Sequence, residues 1–223
     1  MQTFTEKRPI KALLLAGDTL LKLCSPEDKS TYPLFGDAGT CTAVEIDCNN
    51  TEQMEFVLHS DGSGENAIKI YGGGYRKPLC SDSLIRKEKS EGICLNEIEL
   101  SLDGMDVFSF GIKRAPESVN ELISNFEIDK EKIDLFTFHQ ANRMLNETIR
   151  KKLKLPAEKV PYSLQSFGNT SSASIPLTLV TERRDELSSK SLNHIACGFG
   201  VGLSWGAVHF STDRIIVPQL LEI

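Results

Sequence analysis

The stretch that decides the fold reads Phe-His-Gln-Ala-Asn at residues 138–142, and Phe-Gly-Asn-Thr-Ser-Ser-Ala-Ser-Ile-Pro follows it at residues 167–176. The first stretch closes an apolar run that starts at residue 133, so the pattern predicts a strand that ends next to His139. Both stretches lead into segments with helical spacing. Because ligands of α/β sheets bind at the carboxyl ends of strands, we expect His139 to line a site.

The two stretches contribute one histidine and one asparagine, His139 and Asn169. A neutral imidazole N–H and a carboxamide NH2 both donate hydrogen bonds without a fixed charge. Two such donors aimed at a thioester carbonyl would stabilise an enolate, and loss of one such donor typically costs about 2.7–4 kcal/mol of barrier. The alternative is a histidine satisfied in the core and an asparagine in a turn. Either residue alone favours this alternative, whereas the two motifs together favour a catalytic pair.

Composition excludes several classes of function. The chain has 223 residues, 40% hydrophobic and 25% charged, and a net charge of −6 that argues against nucleic-acid binding. No apolar run approaches about 18 residues, so no membrane partner is predicted. The cysteines include no C-x-x-C pair, so we expect no metal site, reduced thiols and a cytoplasmic location. The six cysteines are Cys24, Cys41, Cys48, Cys80, Cys94 and Cys197.

Hydrophobic patterning predicts six strands, at residues 10–16, 40–46, 55–59, 133–138, 193–197 and 203–210. Helical spacing predicts three helices, at residues 105–126, 142–153 and from 171 or 172 to about 187. Pro116 predicts a kink or break in the first helix, and Ser171 or Ser172 is expected to cap the third. Pro176 suits the first turn of that third helix. Residues 62–89 are interpreted as mostly loop.

The two motifs, in this order and at this separation, resemble those of the ketoacyl-ACP synthase III family. Phe-Gly-Asp-Ala-Gly at residues 35–39 and His-Ser-Asp-Gly at residues 59–62 also look like landmarks of that family, and we interpret both as structural, for turn formation and strand termination. The resemblance implies an α/β, thiolase-like fold. It predicts a complete C-terminal βαβαβαββ half at residues 102–223 and, at residues 1–101, the last strands of an N-terminal half with a loop insertion.

The resemblance implies a 3-oxoacyl-ACP synthase III-like acyltransferase of fatty-acid or polyketide biosynthesis. Such enzymes catalyse decarboxylative Claisen condensation of an acyl thioester with malonyl-ACP. The substrates are acyl-CoA or acyl-ACP and malonyl-ACP, and no cofactor is implied. The expected partners are an acyl carrier protein, a CoA thioester, and a second copy of the chain or a complementing subunit.

Residue by residue, His139 and Asn169 match the histidine and asparagine of the family's Cys-His-Asn triad. Asn142 matches a position that contacts the pantetheine arm. In the glycine-rich run at residues 198–202, Val201 matches the position whose backbone N–H helps to form the family's oxyanion hole. Its neighbours Gly200 and Gly202 are expected to bind substrate, although the same run is equally compatible with a tight hairpin turn.

The family's nucleophilic cysteine begins a helix that precedes the strand matching residues 10–16. None of the six cysteines here has that context. Cys197 is the only one that we expect to lie close to His139, and its predicted strand position offers no helix N-terminus to lower the thiol pKa, so we expect a core residue. We therefore expect this chain alone to lack covalent catalysis and to be inactive as a condensing enzyme without the cysteine segment; the alternative is a non-catalytic fragment or a partner subunit of a heteromeric condensing enzyme.

Two further patterns compete for a function. Gly-Leu-Ser-Trp-Gly at residues 202–206 matches the G-x-S-x-G of hydrolases, but a nucleophile elbow leads into a helix and the following residues predict a strand. Arg-Lys-Lys-Leu-Lys at residues 150–154, with Arg143, could dock an acidic carrier protein. The same charges also suit a solvated helix end.

Overall fold

The computed structural model describes residues 10–46 and 53–222. These residues form ten strands, β1 Ile10–Asp18, β2 Ala38–Ile46, β3 Glu55–Ser60, β4 Ile68–Lys69, β5 Lys87–Ser90, β6 Ile93–Leu95, β7 Ser101–Leu102, β8 Leu135–Phe138, β9 Ser191–Gly200 and β10 Ser204–Asp213. They also form five α-helices, α1 Gly104–Asn125, α2 Arg143–Lys152, α3 Leu164–Phe167, α4 Ser174–Glu182 and α5 Arg184–Ser189. Among the helices of those two ranges, none combines the length and hydrophobicity that crossing a bilayer requires.

A four-stranded sheet of order β3-β10-β9-β8 organises the core. β8 runs parallel to β9, with Phe138 opposite Cys197, and the other pairs are antiparallel. Helices α1 and α2 pack together, and Leu122, Leu145 and Ile149 bury their side chains completely beside β8. Each buried side chain of this size contributes about 1.5–3 kcal/mol. This packing fixes the strand end at which the first motif begins.

The six predicted strands are confirmed as β1, β2, β3, β8, β9 and β10, with ends displaced by at most a few residues. The predicted loop at residues 62–89 contains β4, the start of β5 and short 3-10 turns. The Ser204 segment lies in β10 and continues as a strand, which disfavours the nucleophile elbow as expected.

Of the kink or break predicted at Pro116, the break is wrong, because α1 continues through the proline, and the kink stays a prediction. A proline in a helix removes the N–H that would bond to the carbonyl four residues earlier. Here that carbonyl belongs to Ile112, and Nζ of Lys152 at the end of α2 donates to it at 2.9 Å. The side chain of one helix therefore satisfies the backbone group that the proline leaves free in another.

The predicted capping of the third helix is also wrong. Ser171 and Ser172 form a 3-10 turn with Ala173, and α4 then begins at Ser174 without a side-chain cap. Pro176 lies in the first turn of α4, as expected. The predicted helix is also divided, since α4 ends before Arg183 and α5 follows it.

The hairpin of β1 and β2 lies outside the four-stranded sheet and leaves Leu13, Leu14 and Leu15 more than half exposed. β3 lies before the division predicted at residues 101 and 102, yet its residues pair with β10. The sheet therefore combines segments from both sides of that division, which stays a prediction.

Candidate active site

The sheet and α2 hold the backbone of His139 from both sides. Its N–H donates to the carbonyl of Cys197 at 2.9 Å, which extends the β8–β9 ladder by one residue. Its carbonyl accepts a hydrogen bond of 3.0 Å from Nδ2 of Asn146, a fully buried residue of α2. The histidine that follows β8 is therefore fixed in position by two elements of the core.

The imidazole of His139 is held in a neutral form. Burial lowers its pKa to about 4, against the opposing effect of a backbone hydrogen bond with Ser171. Nδ1 lies 2.8 Å from the hydroxyl oxygen of Ser174, and the ring meets Phe199 edge-on at a centroid distance of 5.3 Å. A neutral imidazole can donate from one ring nitrogen only, so the second nitrogen decides what the ring offers to a ligand.

The side chain of Asn169 is oriented by its own turn. Oδ1 accepts a hydrogen bond from the N–H of Ser171 at 2.9 Å, which leaves the NH2 group as the part of the amide free to donate. The backbone of Asn169 is fixed as well. Its N–H donates to the carbonyl of Leu34 at 2.9 Å, and its carbonyl accepts from the N–H of Gly36 at 3.0 Å.

The Phe-Gly-Asp-Ala-Gly motif forms the support behind Asn169. A Cβ on Gly36 would overlap the carbonyl oxygen of Phe167, so only glycine permits this approach of the two backbones. Gly168 has a φ of +63°, which also favours glycine. The turn predicted to be structural therefore holds one of the two predicted donors in place.

A cavity of about 980 Å³ is lined by both His139 and Asn169, which we call the donor pair. Apolar side chains surround the pair, including Phe56, Val107 and Phe108. The volume lies within the range of ordinary ligand sites, about 300–1,000 Å³. Mostly apolar walls with an imidazole and a carboxamide among the lining groups suit a thioester with an acyl or pantetheine-like arm.

The other predicted site residues are distributed unevenly around this cavity. Asn142, Gly200 and Val201 line it, whereas Gly202 is not among its lining residues. Oδ1 of Asn142 accepts from the N–H of Leu145 at 2.8 Å and so caps α2. Val201 lies in the turn between β9 and β10 and is 65% exposed.

Sequence reasoning missed three residues that support the donor pair: Ser174, Asn146 and Gln140. Gln140 is fully buried; its NH2 group donates to the Phe138 carbonyl at 2.7 Å, and its Oε1 accepts from the Ser163 N–H. Gln140 and Ser174 lie inside the two quoted motifs. The polar residues of those motifs were therefore the sequence feature that could have identified them.

No cysteine of residues 10–46 and 53–222 lines the cavity. Cys197 is buried in β9 with Sγ directed at the carbonyl of Ala115, and burial raises the pKa of its thiol to about 12. It has the environment expected of a core residue. Cys48 lies outside the described residues.

Comparison with known proteins relates both ends of the chain to one family. The family described as 3-oxoacyl-[acyl-carrier-protein (ACP)] synthase III matches residues 3–62, and its C-terminal counterpart matches residues 123–212. The two ranges together cover more than half of the chain.

Individual relatives agree with this result. The beta-ketoacyl-[acyl-carrier-protein] synthase III of Acaryochloris marina is 33% identical over 91% of this chain, which spans 58% of that relative. The enzyme of the same name from Clostridium perfringens is 34% identical over 88% of this chain, which spans 57% of it. A solved 3-oxoacyl-(acyl-carrier protein) synthase from Burkholderia xenovorans superimposes with a TM-score of 0.84 at 36% identity, covering 94% of this chain and 58% of that one. The chain thus spans somewhat under three fifths of these relatives.

Proposed function

We propose a function from the premise that this chain belongs to the 3-oxoacyl-[acyl-carrier-protein] synthase III family and has its thiolase-like fold. In this proposal, the donor pair activates a malonyl thioester for decarboxylative Claisen condensation. The observation that carries this proposal is the presence of His139 and Asn169 on one largely apolar cavity. Each residue is held by backbone hydrogen bonds, so the donors need little reorganisation when charge develops.

The chemistry assigned to the pair is electrostatic. An N–H of the imidazole and the NH2 of Asn169 donate to the thioester carbonyl of the malonyl group. When the bond to the carboxylate breaks and CO2 leaves, its electron pair moves onto the thioester, whose oxygen becomes an enolate oxygen. The donors bind this oxygen more strongly than the carbonyl from which it forms, and that difference lowers the barrier.

A neutral histidine suits this role better than a charged one. With a pKa lowered to about 4 by burial, His139 is uncharged at neutral pH and keeps a single N–H to donate. An imidazolium would bind the malonyl carboxylate in the ground state and so oppose its loss. The neutral donor spares the carboxylate and acts on the developing oxygen.

The described residues carry the decarboxylation half of the reaction rather than acyl transfer. Acyl transfer to an enzyme needs an activated nucleophile, and the buried thiol of Cys197, with a pKa raised to about 12, is a poor one. We therefore propose that the enolate carbon attacks the carbonyl of an acyl thioester, whose thiol the described residues do not supply. As the carbon–carbon bond forms, the acyl C–S bond breaks and the thiolate leaves.

We propose an acyl carrier protein or CoA as carrier of the malonyl group. An acidic carrier protein would meet the basic residues at 150–154, but two of these side chains already bind groups within the fold. Arg150 pairs with Glu147 at 2.8 Å, and Lys152 donates to Ile112. Both side chains therefore have structural partners. The exposed Lys151 and Lys154 are the remaining cations of residues 150–154.

Release of CO2 from malonyl-CoA tests the proposal without depending on a nucleophilic thiol. We expect the wild-type chain to convert malonyl-CoA to acetyl-CoA and CO2. His139→Ala and Asn169→Ala should each lower the rate by about 100- to 1,000-fold, which corresponds to one lost donor. Asn120→Ala, an exposed asparagine of α1, is the matched control and should retain the wild-type rate.

Folding of each variant is checked by circular dichroism before rates are compared. A wild-type chain that releases no CO2 would refute the proposal. So would folded variants of His139 and Asn169 that decarboxylate as fast as Asn120→Ala.

A further inference from the structure

A buried hydroxyl faces the imidazole of the donor pair. Oγ of Ser174, the first residue of α4, lies 2.8 Å from Nδ1 of His139. Ser174 is 1% exposed, so this hydroxyl is almost closed to bulk water, although Ser174 also lines the cavity. Within residues 10–46 and 53–222, the Ser174 hydroxyl makes its one hydrogen bond with His139.

The two ways of placing the proton in this hydrogen bond differ in energy. If Nδ1 carried the proton and donated to Ser174, the hydroxyl proton would be buried without an acceptor, at a cost of about 1–3 kcal/mol. If the hydroxyl donates to Nδ1, both groups are satisfied. Since about 1.4 kcal/mol corresponds to a factor of ten in population, the second arrangement dominates.

The geometry points to Ser174 as a positioning residue that keeps the proton of His139 on Nε2. This inference rests on the function proposed above, because only an Nε2–H leaves the ring a donor on the side away from Ser174. The serine is itself held in place, since its carbonyl accepts from Oγ1 of Thr178 at 2.7 Å. Thr178 in turn bonds to the hydroxyl of Ser163, also at 2.7 Å.

The rival acceptor for the imidazole proton is the backbone carbonyl of Ser171, because a backbone hydrogen bond between the two residues acts to raise the pKa of His139. That carbonyl already accepts the N–H of Ser174 at the end of the 3-10 turn. A carbonyl that took the Nδ1 proton as well would give the opposite tautomer and leave Nε2 an acceptor. The two tautomers make opposite predictions for each ring nitrogen.

Nitrogen-15 NMR of the chain with labelled histidines distinguishes them directly. The chain has four histidines, and His139→Gln assigns the signal of interest by its disappearance. We expect the wild type at pH 7.5 to show a protonated Nε2 and an unprotonated, hydrogen-bonded Nδ1. In Ser174→Ala, the Nδ1 shift should move toward that of a ring nitrogen without a hydrogen bond.

Ser174→Thr, which restores a hydroxyl, should return the Nδ1 shift toward the wild-type value. The matched control is Ser166→Ala, an exposed serine of α3, which should leave both ring nitrogens unchanged. A wild-type His139 with its proton on Nδ1 would overturn the inference, and this measurement needs no variant to fold. Unchanged ring shifts in a folded Ser174→Ala would overturn it as well.

Malonyl-CoA decarboxylation separates this inference from the proposed function. Ser174→Ala should lower kcat by about 10- to 100-fold, the range seen when a metal-binding histidine loses the side chain that orients its ring, with KM little changed. A wild-type chain with protonated Nε2 but no decarboxylation would refute the proposed function and support the tautomer assignment. A wild-type chain that decarboxylates but carries the His139 proton on Nδ1 would support the proposed function and refute the tautomer assignment.

Discussion

Acidification from pH 7 to pH 5 is expected to destabilise this fold through two histidines that burial keeps neutral. Burial lowers the pKa of both His139 and His194 from 6.5 to about 4. For His194, the charge of Asp134 partly opposes this effect and that of His209 adds to it. A histidine whose folded pKa is lowered stabilises the fold fully above its unfolded pKa. That stability is lost as the pH falls from the unfolded toward the folded value, here from 6.5 toward about 4.

The size of the effect follows from these values. One pKa unit is worth about 1.4 kcal/mol, so each histidine accounts for about 3 kcal/mol over the whole interval, with about 2 kcal/mol lost by pH 5. The two together should therefore lower the free energy of unfolding by about 4 kcal/mol between pH 7 and pH 5. Every carboxylate whose pKa the fold shifts has it lowered, as Glu147 has to about 2 through the side-chain hydrogen bond from Arg150, so these groups add little to the change between pH 7 and pH 5.

Urea unfolding followed by tryptophan fluorescence measures this change. The chain has a single tryptophan, Trp205, which stacks on His59 at a centroid distance of 5.4 Å and meets Phe110 edge-on at 5.5 Å. Unfolding removes both contacts and changes its emission. His194→Gln and His139→Gln should each show about half of the wild-type pH dependence. A wild type equally stable at pH 7 and pH 5, or variants that keep the full dependence, would refute the reasoning.

Two further predictions concern the support of the site and its docking face. Gly36→Ala introduces a Cβ that overlaps the Phe167 carbonyl, so the free energy of unfolding, measured by thermal denaturation, should fall by about 1–3 kcal/mol. The decarboxylation rate should fall in parallel. A variant with wild-type stability and rate would contradict the close approach of the two backbones. Lys151→Glu should weaken binding of an acidic carrier protein severalfold at low salt, measured by calorimetry, whereas the exposed Lys113→Glu on α1 has the same charge change and should not. Equal affinities of these two variants would remove the basis for docking at α2.

The strands and the long helices could be predicted because their signals are local. The apolar runs that become β1, β8 and β9 need no information beyond a few residues on each side. The break at Pro116 was wrong because the donor that satisfies Ile112 comes from Lys152, forty residues away in the chain. No local rule for proline contains that donor.

The site shows the same division between local and distant information. The two motifs placed His139 and Asn169 at strand and turn ends, and the structure brings both to one cavity. The residues that hold them could not be ranked from sequence, because their roles are contacts across the fold. Asn146 binds the His139 carbonyl from α2, and Gly36 backs the Asn169 turn from more than 130 residues earlier.

The proline in α1 also constrains how this protein could be stabilised. Replacing Pro116 by alanine would supply the missing amide, and Ile112 could then bond within its own helix. Lys152 would lose its acceptor in α1, while the buried Leu145 and Ile149 would still hold α2 in the core. Since Asn146 of that helix donates to the His139 carbonyl, a more regular α1 would remove one of the contacts that fix the helix supporting His139.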